Sequence, residues 1–318
     1  MLRFLVQRCL FALLTLFFAA FIIFYTIEIL PGDPAQIMLG VNASPESLAA
    51  LRTQLGLDRS VIMRFTAWII DLAQLDFGIS LIHGDRIANI LQQRLTVTIP
   101  LALIALVFST LTAFLFGSLS ALYRRRMPDY LIAILSQVGI ALPNFWLGIL
   151  LILGFSVGLR WLPSGGFPGW EAGIDAGIRS LILPAIAIAL PQAATLLRIV
   201  RTALIDSMAQ DFYRTAQAKG LSPALALIKH GFRNALVPIL TILGLQLAYL
   251  LAGVIVIENV FVLPGLGRLL LQATGQRDLI MIREIIFLAV VATILINLLI
   301  DIAYGFVDPR LRKVSSNE

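Results

Sequence analysis

The sequence predicts an all-α integral membrane protein with six transmembrane helices, and three observations carry that prediction. Of 318 residues, 59% are apolar and only 13% are charged, about half the charged share of an ordinary soluble chain. The apolar residues gather in runs of roughly the 20 residues a helix needs to cross the hydrocarbon core. Those runs are continuous; they do not alternate polar and apolar positions as the strands of a membrane barrel do.

Six runs qualify, at about 9–30, 97–122, 130–159, 181–203, 236–258 and 284–307. Arg3 and Arg8 precede the first, which ends in Leu30-Pro31-Gly32-Asp33-Pro34 with no small-residue cleavage site. It therefore reads as an uncleaved span, not a signal peptide. Residues 1–30 form the first transmembrane helix, 31–96 an extracytoplasmic segment, 97–307 a five-helix core and 308–318 a cytoplasmic tail. Within 31–96, Pro45 to Leu57 reads as an amphipathic helix that packs on the bundle as an outer cap, with Ser44 as N-cap and Pro45 at the first helical position.

Charge sets the orientation. With the N-terminus inside, six spans return the C-terminus inside. The inner segments then hold 14 of the 24 basic residues, including all three lysines, Lys219, Lys229 and Lys313. The clearest inside marker is Tyr123-Arg124-Arg125-Arg126. The net charge of +6 thus reflects a membrane lipid environment and calls for no nucleic-acid partner. Cys9 is the single cysteine, and His83 and His230 are the two histidines, far apart. A metal cage or histidine-based catalysis is not expected.

The inner loop 204–235 is the most informative stretch. Asp211 to Lys219 favours a short helix, Gly220 suits a left-handed stop, Ser222 is a good N-cap and Pro223 opens the next helix. Two helices meeting at a sharp turn are expected. Small residues at Thr215, Ala216 and Ala218 leave room for another protein to approach, with Phe212, Tyr213 and Leu221 as apolar anchors. On physics alone, an amphipathic helix lying on the inner leaflet fits equally well.

Tyr213-Arg214-Thr215-Ala216-Gln217-Ala218-Lys219-Gly220-Leu221-Ser222 resembles the EAA loop of ABC-importer permeases, in the form carried by the dipeptide/oligopeptide/nickel family. Arg214 stands where the general pattern has Glu, Thr215 where it has Ala, and Phe232-Arg233 where it has Leu-Pro; these departures are similar to those of the peptide/nickel branch. Leu55-Gly56-Leu57-Asp58, Asp76-Phe77-Gly78-Ile79-Ser80, Pro143-Asn144-Phe145-Trp146, Glu258-Asn259-Val260-Phe261, Pro264-Gly265-Leu266-Gly267-Arg268 and Asp308-Pro309-Arg310 look like further motifs of that branch, in order and across nearly the whole chain.

The resemblance implies a type I importer permease, the first of two unlike, homologous permease subunits, in a bacterial inner membrane. It also implies two ATPase subunits beneath and an extracytoplasmic solute-binding protein above. Tyr213, Arg214, Thr215, Ala216, Ala218, Lys219, Gly220, Leu221 and Ser222 are then the elements that couple to the ATPase. Consistent with this, the chain has no Gly-x-x-x-x-Gly-Lys-Ser/Thr phosphate loop. ATP and Mg are expected on partner subunits, with no cofactor on this chain and no enzymatic activity of its own.

Polar residues inside spans face a bundle interior or a wet cavity. Asn144 beside Pro143, Gln192 beside Pro191, Gln246 and Asn297, with Glu258 at the outer end of the fifth span, are the candidates for the translocation path. Interhelical hydrogen bonding is the plainer role for the four amides, and an interfacial position the plainer one for Glu258. The prolines can break helices and free carbonyls for solute or water contact. Arg198 and Arg201 are placed to snorkel, and Asp301 is a candidate partner for one of them. Small residues such as Gly244 permit close packing on a second permease. The resemblance makes di- and oligopeptides the default solute. The short outer loop from Trp161 to Trp170 also suits a nickel chelate or glutathione. The alternative of another class is an ATP-independent carrier or channel.

Overall fold

The computed structural model describes residues 2–30, 34–40, 44–54, 56–80 and 82–307. Parts of the Leu30–Pro34 and Leu55–Asp58 motifs, all of Asp308-Pro309-Arg310, and the tail 308–318 lie outside them. The described residues form thirteen α-helices joined by short turns and two π-helical stretches. They divide into two compact units, one made of described residues within 2–10, 99–263 and 295–307, the other of those within 11–98 and 264–294.

Four helices are long and apolar enough to cross a membrane: α1 (Leu2–Ile29), α5 (Ile87–Leu122), α8 (Ile174–Met208) and α13 (Leu279–Val307). Two bent pairs bring the total to six if each counts as one span. In the first, α6 (Met127–Ala141) and α7 (Asn144–Leu151) meet at 104°, so the run expected as one continuous helix over 130–159 is broken. Pro143 is the cause. Its ring disfavours helical backbone at the residue before it, and Leu142 is extended, with φ −86° and ψ 126°. The prolines of α8 behave differently: Pro184 and Pro191 both lie inside an uninterrupted 35-residue helix. The break that proline makes possible is not realised there, because packing on both sides of a buried helix holds it together despite the missing N–H.

In the larger unit α8 is central. It packs against α6, α7 and α11 (Phe232–Val260), and Leu181, Leu183, Ala187 and Ile188 along it are fully buried. Asp301 pairs with Arg8 at 3.1 Å, not with Arg198 or Arg201. Gly244 serves packing within the chain: a Cβ there would lie 2.8 Å from Cδ1 of Ile300 on α13. It is therefore not a free face awaiting a second permease.

In the smaller unit, Ala20, Ile23 and Phe24 of α1 pack on Phe65 and Trp68 of α4 (Val61–Ala73). The apolar residues of α4 recur at three and four positions, so one stripe is buried. The amphipathic packing expected of the 45–57 segment belongs to this helix. The segment itself does form α3 (Pro45–Gln54), capped by the Ser44 hydroxyl accepting from the Ser47 N–H at 3.2 Å, but none of its residues is buried. The Glu284 carboxylate is wholly buried and accepts from the Trp68 indole N–H at 2.8 Å and from Arg283. Arg283 also lies 4.6 Å from the centre of the Trp68 ring, as a cation–π contact.

Candidate functional site

Residues 209–231 form a hairpin of two short helices between α8 and α11. The first is α9 (Asp211–Ala218) and the second α10 (Pro223–Ala226), which continues as a π-helical turn over Leu227–Gly231. The stop between them follows from Gly220, which has φ +90°. The Leu221 N–H donates to the Ala216 carbonyl at 3.3 Å and the Gly220 N–H to the Gln217 carbonyl at 2.9 Å. Those two bonds are a Schellman closure, which needs a left-handed residue after the C-cap and so favours glycine. The restart is equally local. Ser222 is extended, its hydroxyl accepts from the Leu225 N–H at 3.3 Å, and Pro223 occupies the first turn.

Two side chains fasten the hairpin. The Tyr213 ring is buried among Leu204, Ala216, Leu227 and Ile239. Its hydroxyl donates to the Pro223 carbonyl at 3.1 Å, joining α9 to α10, and burial pushes the phenol above its ordinary pKa. The Ser207 hydroxyl donates to the Gly231 carbonyl at 3.0 Å, tying the end of α8 to the π-helical turn.

This arrangement corrects the expected division of labour. Tyr213 and Ala216 face this chain's own core, and Phe212 and Leu221 pack partly against it. Tyr213 is therefore not an anchor, nor Ala216 part of the small surface, offered to another protein, while Phe212 and Leu221 stay half-exposed. The outward face carries Arg214, Thr215, Ala218 and Lys219, with Gly220 and Ser222 at the turn. It continues along the second arm as Leu225 and Ile228, which are 51% and 65% exposed. Sequence reasoning missed those two residues. Their spacing of three puts them on one face of a helix, which was the signal available.

The candidate path residues are only partly brought together. Gln246 donates through Nε2 to the Gln192 backbone carbonyl at 2.7 Å, joining α11 to α8. Asn144, at the first turn of α7, lies against Gly253 of α11; a Cβ on Gly253 would be 3.1 Å from its Nδ2. Glu258, at the outer end of α11, is fully buried within the protein. Asn297 is exposed on α13.

A buried ionic cluster that sequence reasoning did not find lies closer to the hairpin. Asp129, at the start of α6, accepts from Ser120 at 2.5 Å, from the Arg125 N–H at 2.9 Å and from both Nε and Nη2 of Arg201. It joins the end of α5, the turn that follows and the last third of α8 into one polar knot.

A helical chain with this hairpin matches a known pattern over most of its length. The family described as binding-protein-dependent transport system inner membrane component matches residues 113–313. A companion family of N-terminal membrane components of such systems matches residues 1–102. The chain belongs to this permease family. Its relatives include the glutathione transport system permease proteins GsiC of Escherichia coli K12 and of Shigella dysenteriae serotype 1. Each is 37% identical over 312 residues, covering 98% of this chain and 99% of the relative. GsiC of Salmonella paratyphi A is 36% identical with the same coverage. The chain is thus a multi-pass inner-membrane permease of an ABC importer of the peptide/nickel branch. In that setting the α9–α10 hairpin is the segment that resembles the EAA loop, and its outward face is the candidate surface for a partner.

Proposed function

We propose that this permease carries short peptides inward in an ATP-driven complex, with glutathione the first solute to test. The observation that carries the proposal is end-to-end similarity, at 37% identity, to permeases named for glutathione transport. Di- and oligopeptides remain in the same chemical class: zwitterionic chains that carry at least one carboxylate.

The complex would contain a second, homologous permease, two ATPase subunits and an extracytoplasmic solute-binding protein. ATP and Mg would be bound by the ATPases. Both termini of this chain would lie in the cytoplasm, which places the α9–α10 hairpin on the ATPase side. Arg214, Thr215, Ala218 and Lys219 with Leu225 and Ile228 would meet the ATPase. Gly220 and Ser222 would keep the two arms at a fixed angle, and buried Tyr213 and Ala216, with Leu221, would pass the push into α8 and α11. A rigid, internally packed hairpin suits that task because it moves as a body, whereas an isolated surface helix would slide.

The test is reconstitution of the complete complex in proteoliposomes with saturating binding protein. ATP-dependent accumulation of labelled glutathione or a dipeptide is expected. Accumulation without ATP, or of neither solute, would overturn the reading.

A further inference from the structure

The larger unit holds a groove whose chemistry the coupling hairpin does not explain. Along α8, Thr195, Arg198 and Thr202 form an exposed stripe with spacings of three and four, on a helix that is otherwise mostly buried. Near the inner end of a span a guanidinium can reach lipid headgroups or turn to a cavity, and Arg198 lines a cavity. Arg198 and Thr202 of this stripe border that cavity of about 440 Å³, whose opposite wall is α6, with Ser136 and Gln137. That volume falls within the range of small-molecule sites.

Several donors in this groove are spent within the chain. The Thr202 hydroxyl gives its proton to the Arg198 carbonyl on its own helix at 2.9 Å. Ser136 does the same with Ala133 at 2.8 Å. Arg201 also lines the groove, but its charge is met by Asp129 at 2.7 Å. Arg198 is different: among the described residues no carboxylate lies within ion-pair distance of it. The groove therefore carries one net positive charge, with the guanidinium N–H groups as its unspent charged donors.

We propose that this groove is a solute subsite on the translocation path, and that Arg198 binds a carboxylate of the transported peptide there. The proposal rests on the short-peptide reading above and assigns one residue to it. Guanidinium and carboxylate match as a two-pronged pair. Every unmodified peptide brings at least one carboxylate, and glutathione brings two. A single side-chain carboxylate from a neighbouring subunit would pair with Arg198 but leave most of the cavity empty.

The test uses the complete complex in proteoliposomes with saturating, solute-loaded binding protein. Arg198→Gln is expected to lower glutathione uptake at least tenfold with all subunits retained, and Arg198→Lys to restore part of it. A second readout does not depend on turnover. In a Cys9→Ser background, Thr202→Cys should react with a water-soluble maleimide, scored on this chain by mass. Saturating glutathione should slow that reaction severalfold. Parental uptake by Arg198→Gln, or labelling unaffected by glutathione, overturns the subsite. Loss of the second permease from Arg198→Gln also overturns it, because Arg198 would then pair with that chain. Failure of the parent complex to accumulate glutathione or a dipeptide overturns the short-peptide reading itself, and this assignment with it.

Discussion

Asp129 and Arg201, 72 residues apart, form a two-pronged ion pair with Nε at 2.7 Å and Nη2 at 2.8 Å from the carboxylate oxygens. The same carboxylate takes the Arg125 N–H, where the chain turns with φ +63°. One buried acid thus fixes the α5–α6 turn to the part of α8 that leads into the hairpin. On the proposed coupling role, motion at the hairpin would reach α6 through this polar contact as well as through apolar packing.

Removing one partner strands a buried charge. Asp129→Asn is expected to destabilise the solubilised protein by about 3 kcal/mol, the lower end for breaking a buried pair, since Arg201 is only partly buried. Asp129→Leu with Arg201→Leu should recover much of that loss. Thermal unfolding of the three proteins checks this. A single variant as stable as the parent would show that the pair contributes nothing.

Gln246 tests whether a buried amide in a span packs helices or meets solute. Its bond to the Gln192 carbonyl makes it a packing residue. Gln246→Leu should cost about 0.6 kcal/mol, the average for interhelical hydrogen bonds in one measured membrane protein, and leave uptake intact. A large fall in uptake without loss of stability would place Gln246 on the path.

Local signals were legible in the sequence, and long-range ones were not. The stop at Gly220 and the restart at Ser222-Pro223 depend on residues within five positions of one another, so residue type alone disclosed them. The inward facing of Tyr213 and Ala216 depends on Leu204, Leu227 and Ile239, which no local pattern links to α9. Pro143 breaks a helix where Pro184 and Pro191 do not, a difference that lies in the packing around α8. Asp129 reads as an ordinary first-turn acid until Arg201 is beside it.

Topology follows from the same charge pattern that drew attention to the Arg124–Arg126 turn. Fusions of a reporter active only in the cytoplasm should be active after Arg126 and at the C-terminus, and silent after Trp170. The reverse pattern would put the hairpin on the wrong side for any ATPase.

Gly220 and Ala216 are expected to fail in different ways. At φ +90° a β-branched side chain is strongly disfavoured, so Gly220→Val should disturb the angle between the arms and reduce uptake while membrane insertion persists. Ala216 is only 5% exposed; Ala216→Arg must force a charged chain into the core under α8, and should lower the unfolding temperature as well as uptake. Equal thermal stability of Ala216→Arg and the parent would contradict its inward placement.

The most direct measurement is ATPase retention by Ala218→Arg. Ala218 is exposed at the end of α9, so the added side chain enlarges the outward face without entering the core. The variant should insert, unfold at the parental temperature and keep the second permease. It should also lose the ATPase at least tenfold on affinity purification and lose uptake with it. Parental ATPase stoichiometry together with parental uptake would contradict the assignment of this face as the site of coupling.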